Sequence, residues 1–280
     1  MDNYQKKIIR KKFLIMIKYI FLILTAIMSL YPFIWVFLGS FKDNSEIYLN
    51  SFGLPKIWRF ENYIRVLSSS ILIRGFRNSI IITGSVLAIA IPLGAMAAYV
   101  TSRMNRNSAV YNYFTIGIMI PGATLLIPTF IILKNMGLVY TLPGIILAYA
   151  GSSMPITVFM LHGFMKNLPF ELEEAAIIDG CSRVGCFFKI ICPLSKPGIA
   201  TVMTLLFLNV WNDYLLDLII GGKDSLKNLI VGIYYFRSEF IVDYGLTCAG
   251  LMFSIIPVAI VYFLFQEQVM AGMAEGAIKA

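Results

Sequence analysis

The chain has 280 residues, of which 59% are hydrophobic and only 14% charged. Soluble domains carry roughly 25% charged residues, and here the apolar residues fall in blocks of about 20, the length a helix needs to cross a bilayer. A water-soluble fold is excluded, and an all-α polytopic membrane protein is predicted. The net charge of +8 does not point to nucleic acid, because the basic residues flank apolar segments and read as topology signals.

Lys6, Lys7, Arg10, Lys11, Lys12 and Lys18 precede an apolar run over 19–38. That run is too long for a signal-peptide core and no clean cleavage site follows it. It is predicted as the first transmembrane helix, with 1–18 a basic cytoplasmic N-terminus. Residues 39–73 mix charge, proline, glycine and aromatics, as an ordered external loop does. A second span covers 78–100, and Pro92 and Gly94 inside it are tolerable where neighbouring helices satisfy the backbone. Arg103 and Arg106 mark a short inner turn before a third span, 111–133, which is interrupted by Pro121-Gly122 and Pro128. The fourth span, 143–164, carries Gly144, Gly151, Ser152 and Ser153, small residues suited to close helix packing. The fifth and sixth are placed at 198–220 and 244–265, with a polar external stretch, 221–243, between them. The core is therefore 74–266, followed by a tail, 267–280. Six spans put both termini and the loop 166–193 on the inner side; the N-terminal basic cluster sets that orientation, since the overall charge asymmetry is modest.

The loop 166–193 is a polar island in this apolar chain. Glu171, Glu173 and Glu174 follow Pro169 in what reads as the first turn of a helix, where negative charge meets the positive end of the helix dipole. Ala175 and Ala176 favour helix and leave little side chain off the backbone. Gly180 is placed to end that helix in a left-handed conformation. Ser182 can cap a second helix with an apolar face of Val184, Phe187, Phe188 and Ile191, which Pro193 ends. Leu172, Ala175, Ala176 and Asp179 are close enough in helical spacing to share a face, and Glu171 and Glu174 stand one turn apart, able to meet a partner's basic or amide groups.

In the fifth span, Asn209, Asn212, Asp213 and Asp217 form a polar stripe at helical spacing. A carboxylate deep in lipid costs roughly 2.5–3.5 kcal/mol, so these groups should face protein or water. They could line a pathway for a hydroxyl-rich solute, with Trp211 or Tyr214 offering flat apolar faces. The competing reading is that Asn212 and Asp213 lock helices together without touching solute. Cys181, Cys186, Cys192 and Cys248 include no C-x-x-C pair. They read as small apolar fillers, and His162, the only histidine, reads as a packed one rather than a metal ligand or proton relay.

Glu174-Ala175-Ala176, three residues, Gly180, nine residues, Ile190, one residue, then Cys192-Pro193 resembles the EAA loop of bacterial ABC importer permeases. Cys192 stands where that family usually has leucine. Arg77-Asn78-Ser79, Ala97-Ala98-Tyr99 before Ser102-Arg103, Met119-Ile120-Pro121, Ile127-Pro128, Ile178-Asp179-Gly180, Trp211-Asn212-Asp213 and the tail from Gly272 to Lys279 are similar to its carbohydrate-uptake branch. The layout looks most like the second permease of the maltose-type transporter.

The resemblance implies a type I ABC importer permease fold with six transmembrane helices and both termini cytoplasmic, in the bacterial inner membrane. It implies a heterodimer with a second homologous permease, two ATPase subunits and an external solute-binding protein. This chain would bind no cofactor, ATP and magnesium being held by the partner ATPase. Glu171, Glu174, Ala175, Ala176, Asp179, Gly180 and Pro193 then become the residues expected to couple to the ATPase. The tail, Glu275 to Lys279, would be a second contact. The expected activity is ATP-driven import of a sugar or oligosaccharide by alternating access, the alternative being the same import of a non-sugar solute. A stand-alone secondary transporter would leave the island unexplained, and no nucleophile–base pair or metal-ligand set for an intramembrane enzyme is visible.

Overall fold

The computed structural model describes the backbone of residues 2–104, 109–236 and 242–277, with side chains over 10–103, 109–236 and 242–267. Arg106 and Lys279, and the side chain of Glu275, lie outside the described residues. Every element among the described residues is helical. α1 (Asp2–Gly39), α2 (Asn44–Leu49) and α3 (Glu61–Ser68) precede α4 (Ser70–Tyr99), which runs into a π turn at Val100–Met104. α5 (Ala109–Met119) and α6 (Leu126–Asn135) flank a 3-10 turn, and α7 (Leu142–Lys166) and α8 (Glu171–Ile178) follow. α9 (Arg183–Cys186) passes through a π turn at Phe187–Ile191 into α10 (Cys192–Leu194). The chain closes with α11 (Lys196–Asn212), α12 (Leu215–Gly221), α13 (Leu229–Tyr234) and α14 (Tyr244–Ala277).

Among the described residues, four helical stretches are long and apolar enough to cross a membrane: Arg10–Gly39, Ser70–Arg103, Leu142–Lys166 and Tyr244–Glu267. Two further candidates are bent pairs, at 101° between α5 and α6 and at 73° between Arg183–Leu194 and α11. The third predicted span is therefore not one straight helix. Pro121 is extended (φ −59°, ψ 128°), and Pro128 two residues into α6 has no amide hydrogen to continue the ladder backward. The stretch 39–73, expected as an ordered loop, holds α2, α3 and the start of α4. The polar stretch 221–243 likewise contains α13, whose Leu229, Val231, Gly232 and Ile233 are buried.

The described chain divides into two compact units, 1–68 with 236–253 and 69–235 with 254–280. In the first, α1 begins at Asp2, so the basic residues ahead of position 19 belong to the same helix as the apolar run. No part of its most apolar window is buried within the chain. A helix apolar on all sides and uncovered by protein is covered by lipid or by another chain. Beyond it, Lys42 is fully buried, and its ammonium donates to the carbonyls of Asn50 at 2.7 Å and Gly53 at 2.6 Å. Asn62 donates to Ser40 O and Lys42 O, and Arg59 pairs with Asp43 at 2.6 Å. These bonds order the segment that sequence alone marks as a loop.

In the second unit, α4 and α7 pack lengthwise. α4 buries Ile82, Val86 and Ala90 against Ile145, Ala148 and Tyr149 of α7 in one apolar cluster. Small residues set the approach: a Cβ added at Gly94 would come within 2.3 Å of Thr157 Cγ2. Of the four small residues predicted to pack on α7, Gly144 and Ser153 are buried while Gly151 and Ser152 are exposed. His162 is a packed histidine, its Nδ1 3.0 Å from Thr101 Oγ1 and its ring stacked on Tyr111. A second cluster joins Ala95, Ala98 and Tyr99 of α4, Leu161 and Met165 of α7 and Val202 of α11 to Phe187 and Ile191. The polar island is thus bolted to the helical core by its own second helix.

Candidate functional site

α8 begins at Glu171, two residues after Pro169, so Pro169 leads into the helix rather than filling its first turn. Its three acidic residues do not share one fate. Glu171 and Glu174 are exposed, whereas Glu173 is buried. Glu173 Oε1 lies 3.1 Å from Arg103 Nε, and its Oε2 accepts a hydrogen bond from Tyr99 OH at 3.0 Å. Arg103 also donates to Leu168 O at 2.8 Å and lies over the Phe170 ring, 4.3 Å from its centroid. The carboxylate that fixes the island is therefore the one left out of the predicted contact set. The sequence marks Arg103 as the basic residue closing the apolar stretch of α4, but it does not mark which of the three glutamates meets it.

The remaining predicted residues sit on the outer side of this anchor. Leu172, Ala175 and Asp179 are exposed and Ala176 is half-buried. Gly180 has φ +85°, a conformation that only glycine adopts without strain. The turn closes with Gly180 N–H on Ile177 O at 2.9 Å and Cys181 N–H on Ala176 O at 2.8 Å. Ser182 caps α9, its Oγ accepting from Gly185 N–H at 3.1 Å. Pro193 does not end the second helix. It sits inside the continuous helical stretch that the π turn and α10 form, and the break falls two residues later at Ser195 (φ −84°, ψ 4°). The predicted apolar face is split too. Phe187 and Ile191 are buried, but Val184 and Phe188 are exposed, because the wider π turn shifts the register of an α-helical face. The island thus presents Leu172, Ile177, Ile178, Val184 and Phe188 outward beside Glu171, Glu174 and Asp179.

The polar stripe of the fifth span is broken. α11 ends at Asn212, and Asp213 is extended (φ −70°, ψ 138°), so Asp213 and Asp217 do not stand on the helix that carries Asn209 and Asn212. Asp213 has a reason to leave the helix. Its Oδ1 accepts from Leu216 N–H at 3.0 Å, capping the first turn of α12, and from Tyr149 OH at 2.9 Å. Its carbonyl takes the Asn228 side chain at 2.8 Å, while Asp217 Oδ2 accepts the Asn228 N–H at 2.8 Å. Asp213 and Asp217 therefore tie α7, α12 and the entry to α13 together. Asn209 and Asn212 are exposed on α11, Asn212 donating to Leu208 O at 2.9 Å. Trp211 is core: it is buried, its indole donates to Ser254 O at 3.2 Å, and its ring stacks on Phe207. It offers no free face to a sugar.

Asp213→Ala removes a helix cap, worth about 1 kcal/mol, and strands the buried Tyr149 hydroxyl, worth about 1–3 kcal/mol more. Asp213→Asn keeps an acceptor oxygen. Thermal unfolding of the purified protein in detergent should show the alanine variant clearly destabilised and the asparagine variant close to wild type.

Membrane-length apolar helices, with an anchored helix–turn–helix between two of the candidate spans, define a multi-pass membrane protein. A family model, "Binding-protein-dependent transport system inner membrane component", matches residues 90–273. The chain is 34% identical over 267 residues to a diacetylchitobiose uptake system permease of Streptomyces coelicolor, covering 94% of this chain and 88% of the relative. It is 36% identical over 270 residues to a probable starch degradation products transport system permease of Thermoanaerobacterium thermosulfurigenes, covering 94% and 97%. Its fold matches a chain of a bacterial ABC transporter involved in alginate import, with a TM-score of 0.78, 23% identity and coverage of 90% and 95%. The chain belongs to the binding-protein-dependent transport system inner membrane component family.

Proposed function

We propose that this chain is one of two membrane permeases of an ATP-driven importer for a sugar or oligosaccharide, working by alternating access. The observation that carries the coupling half of this reading is the island's construction. One carboxylate, Glu173, holds the element to α4, while Glu171, Glu174 and an apolar fringe are held outward on an eight-residue helix with Asp179 at its end. Such a surface fits the cleft of a soluble partner, and a separate ATPase is the partner that an importer permease needs. The carbohydrate half is supported by relatives whose names specify diacetylchitobiose and starch degradation products.

In this reading α1, the two bent pairs and the other three long helices make six spans in the bacterial inner membrane, with both termini and the island cytoplasmic. The basic residues at the start of α1 favour that orientation. A homologous second permease completes the pathway, two ATPases hold ATP and magnesium, and an external binding protein delivers the solute. The same reading assigns Asn209, Asn212 and Asp213 to the neighbourhood of the pathway, Asp213 chiefly as the group that positions α12 against α7.

The test is solute uptake into membrane vesicles containing the full transporter. Uptake of the sugar should survive a protonophore and stop when internal ATP is removed. Uptake that collapses with the proton gradient and ignores ATP would replace this reading with a secondary transporter.

A further inference from the structure

Two of the cysteines that read as fillers in the sequence flank one helix entrance. Cys181 immediately precedes Ser182, the cap of α9, and Cys186 is the fourth residue after that cap. Those two positions are the pair that touch across a helix entrance when both are apolar, the hydrophobic staple. Here both are thiols, set by the Ser182 cap at the two positions that converge across the entrance of α9. The position between them is glycine for a visible reason: a Cβ added at Gly185 would lie 2.7 Å from Cys181 Sγ. The sulfur occupies the space a side chain would need. Cys186 is fully buried and Cys181 is partly open to its surroundings, so one thiol is accessible and the other is held behind it.

We infer that Cys181 and Cys186 form a reversible dithiol–disulfide site, at which a peroxide-class oxidant closes a bond across the turn joining α8 to α9 and so arrests the coupling element. The chemistry balances with hydrogen peroxide as the co-reactant. Cys181 sulfur attacks the O–O bond, giving a sulfenic acid at Cys181 and one water. Cys186 sulfur then displaces the hydroxyl from Cys181 sulfur, forming the S–S bond and a second water. Two thiols are oxidised by two electrons and one peroxide is reduced to two waters. Cytoplasmic dithiols reverse the bond by exchange, attacking it as thiolates, so the site would stay open in resting cells.

The bond would tie the residue after Gly180 to the first turns of α9. Gly180 is the left-handed link between the two helices, so a cross-link beside it removes freedom at the joint. Formation of the bond does not depend on the role of the loop, whereas its effect on uptake rests on the coupling role proposed above.

Vesicles holding the complete transporter are treated with hydrogen peroxide, alkylated and digested with trypsin. Cleavage after Lys166, Arg183 and Lys189 places Cys181 in 167–183, Cys186 in 184–189 and Cys192 in the peptide that follows. The expected product is 167–183 joined to 184–189, released by dithiothreitol and absent from Cys181→Ser and Cys186→Ala. ATP-driven uptake should fall to background in the oxidised wild type, return on reduction, and be insensitive to peroxide in Cys181→Ser relative to that variant's own untreated rate. Recovery of both cysteines as alkylated peptides after peroxide, or pairing of either with Cys192, overturns the site. Linked peptides with undiminished uptake overturn the arrest, and Glu174→Arg then reports independently on the coupling role.

Discussion

Replacing Glu173 by Ala should destabilise the protein by about 3–5 kcal/mol, the cost of leaving a buried cation without its partner. The Arg103 side chain is 1% exposed and that of Glu173 11%, so water cannot easily take over the lost carboxylate's role. Tyr99 loses an acceptor at 3.0 Å but keeps its longer contact to Arg183 O at 3.3 Å. Arg103→Ala should cost a similar amount for the mirrored reason, an uncompensated carboxylate, and it also removes the donor to Leu168 O. The pair Arg103→Met with Glu173→Leu should recover most of the loss, because an apolar pair of similar volume carries no desolvation penalty. A double-mutant cycle on thermal unfolding in detergent gives the coupling directly. Single variants that unfold at the wild-type temperature would mean that the island is held by Phe187 and Ile191 alone.

That anchor marks where sequence reading stops. The apolar blocks, Gly180's left-handed turn and the Ser182 cap were legible because each depends on residues within one helical turn of the other. Glu173 and Arg103 lie far apart in the chain, and nothing in the local pattern separates Glu173 from Glu171 and Glu174. Only the packing of α8 against the end of α4 makes that distinction. The fifth span shows the same limit. The spacing of Asn209, Asn212, Asp213 and Asp217 fits an α-helix, yet Asp213 leaves the helix to cap α12, drawn by Tyr149 on α7 and by Asn228. A periodic stripe is evidence for a helix only while no residue within it has a better partner outside. The second helix of the island illustrates register: the π turn at Phe187–Ile191 buried half the predicted face and exposed the rest. Family resemblance carried what local chemistry could not, namely why an exposed acidic helix should exist in this chain at all.

Reversing Glu174 should abolish uptake while leaving the permease folded and inserted. Glu174 stands in the first turn of α8 and is exposed. Within this chain Glu174→Arg forfeits a favourable interaction with the helix dipole worth about 0.3–1 kcal/mol, too little to unfold it. A complete loss of transport must then arise at a surface the chain presents to something else. Gly180→Leu approaches the same element from inside. A leucine at φ +85° is strained by about 1–2 kcal/mol, so the turn opens or α8 lengthens, and the acidic face moves relative to α9. The two variants disturb different things, a charge and a joint, and converge only if the element transmits motion. Permease level in the membrane, ATPase activity of the assembled transporter and solute uptake should be measured together. Hydrolysis that continues without uptake, in protein present at wild-type level, is the expected signature in both. Wild-type uptake in both would remove the coupling role from this helix, and loss of membrane-inserted protein in Glu174→Arg would reassign its exposed carboxylate to folding.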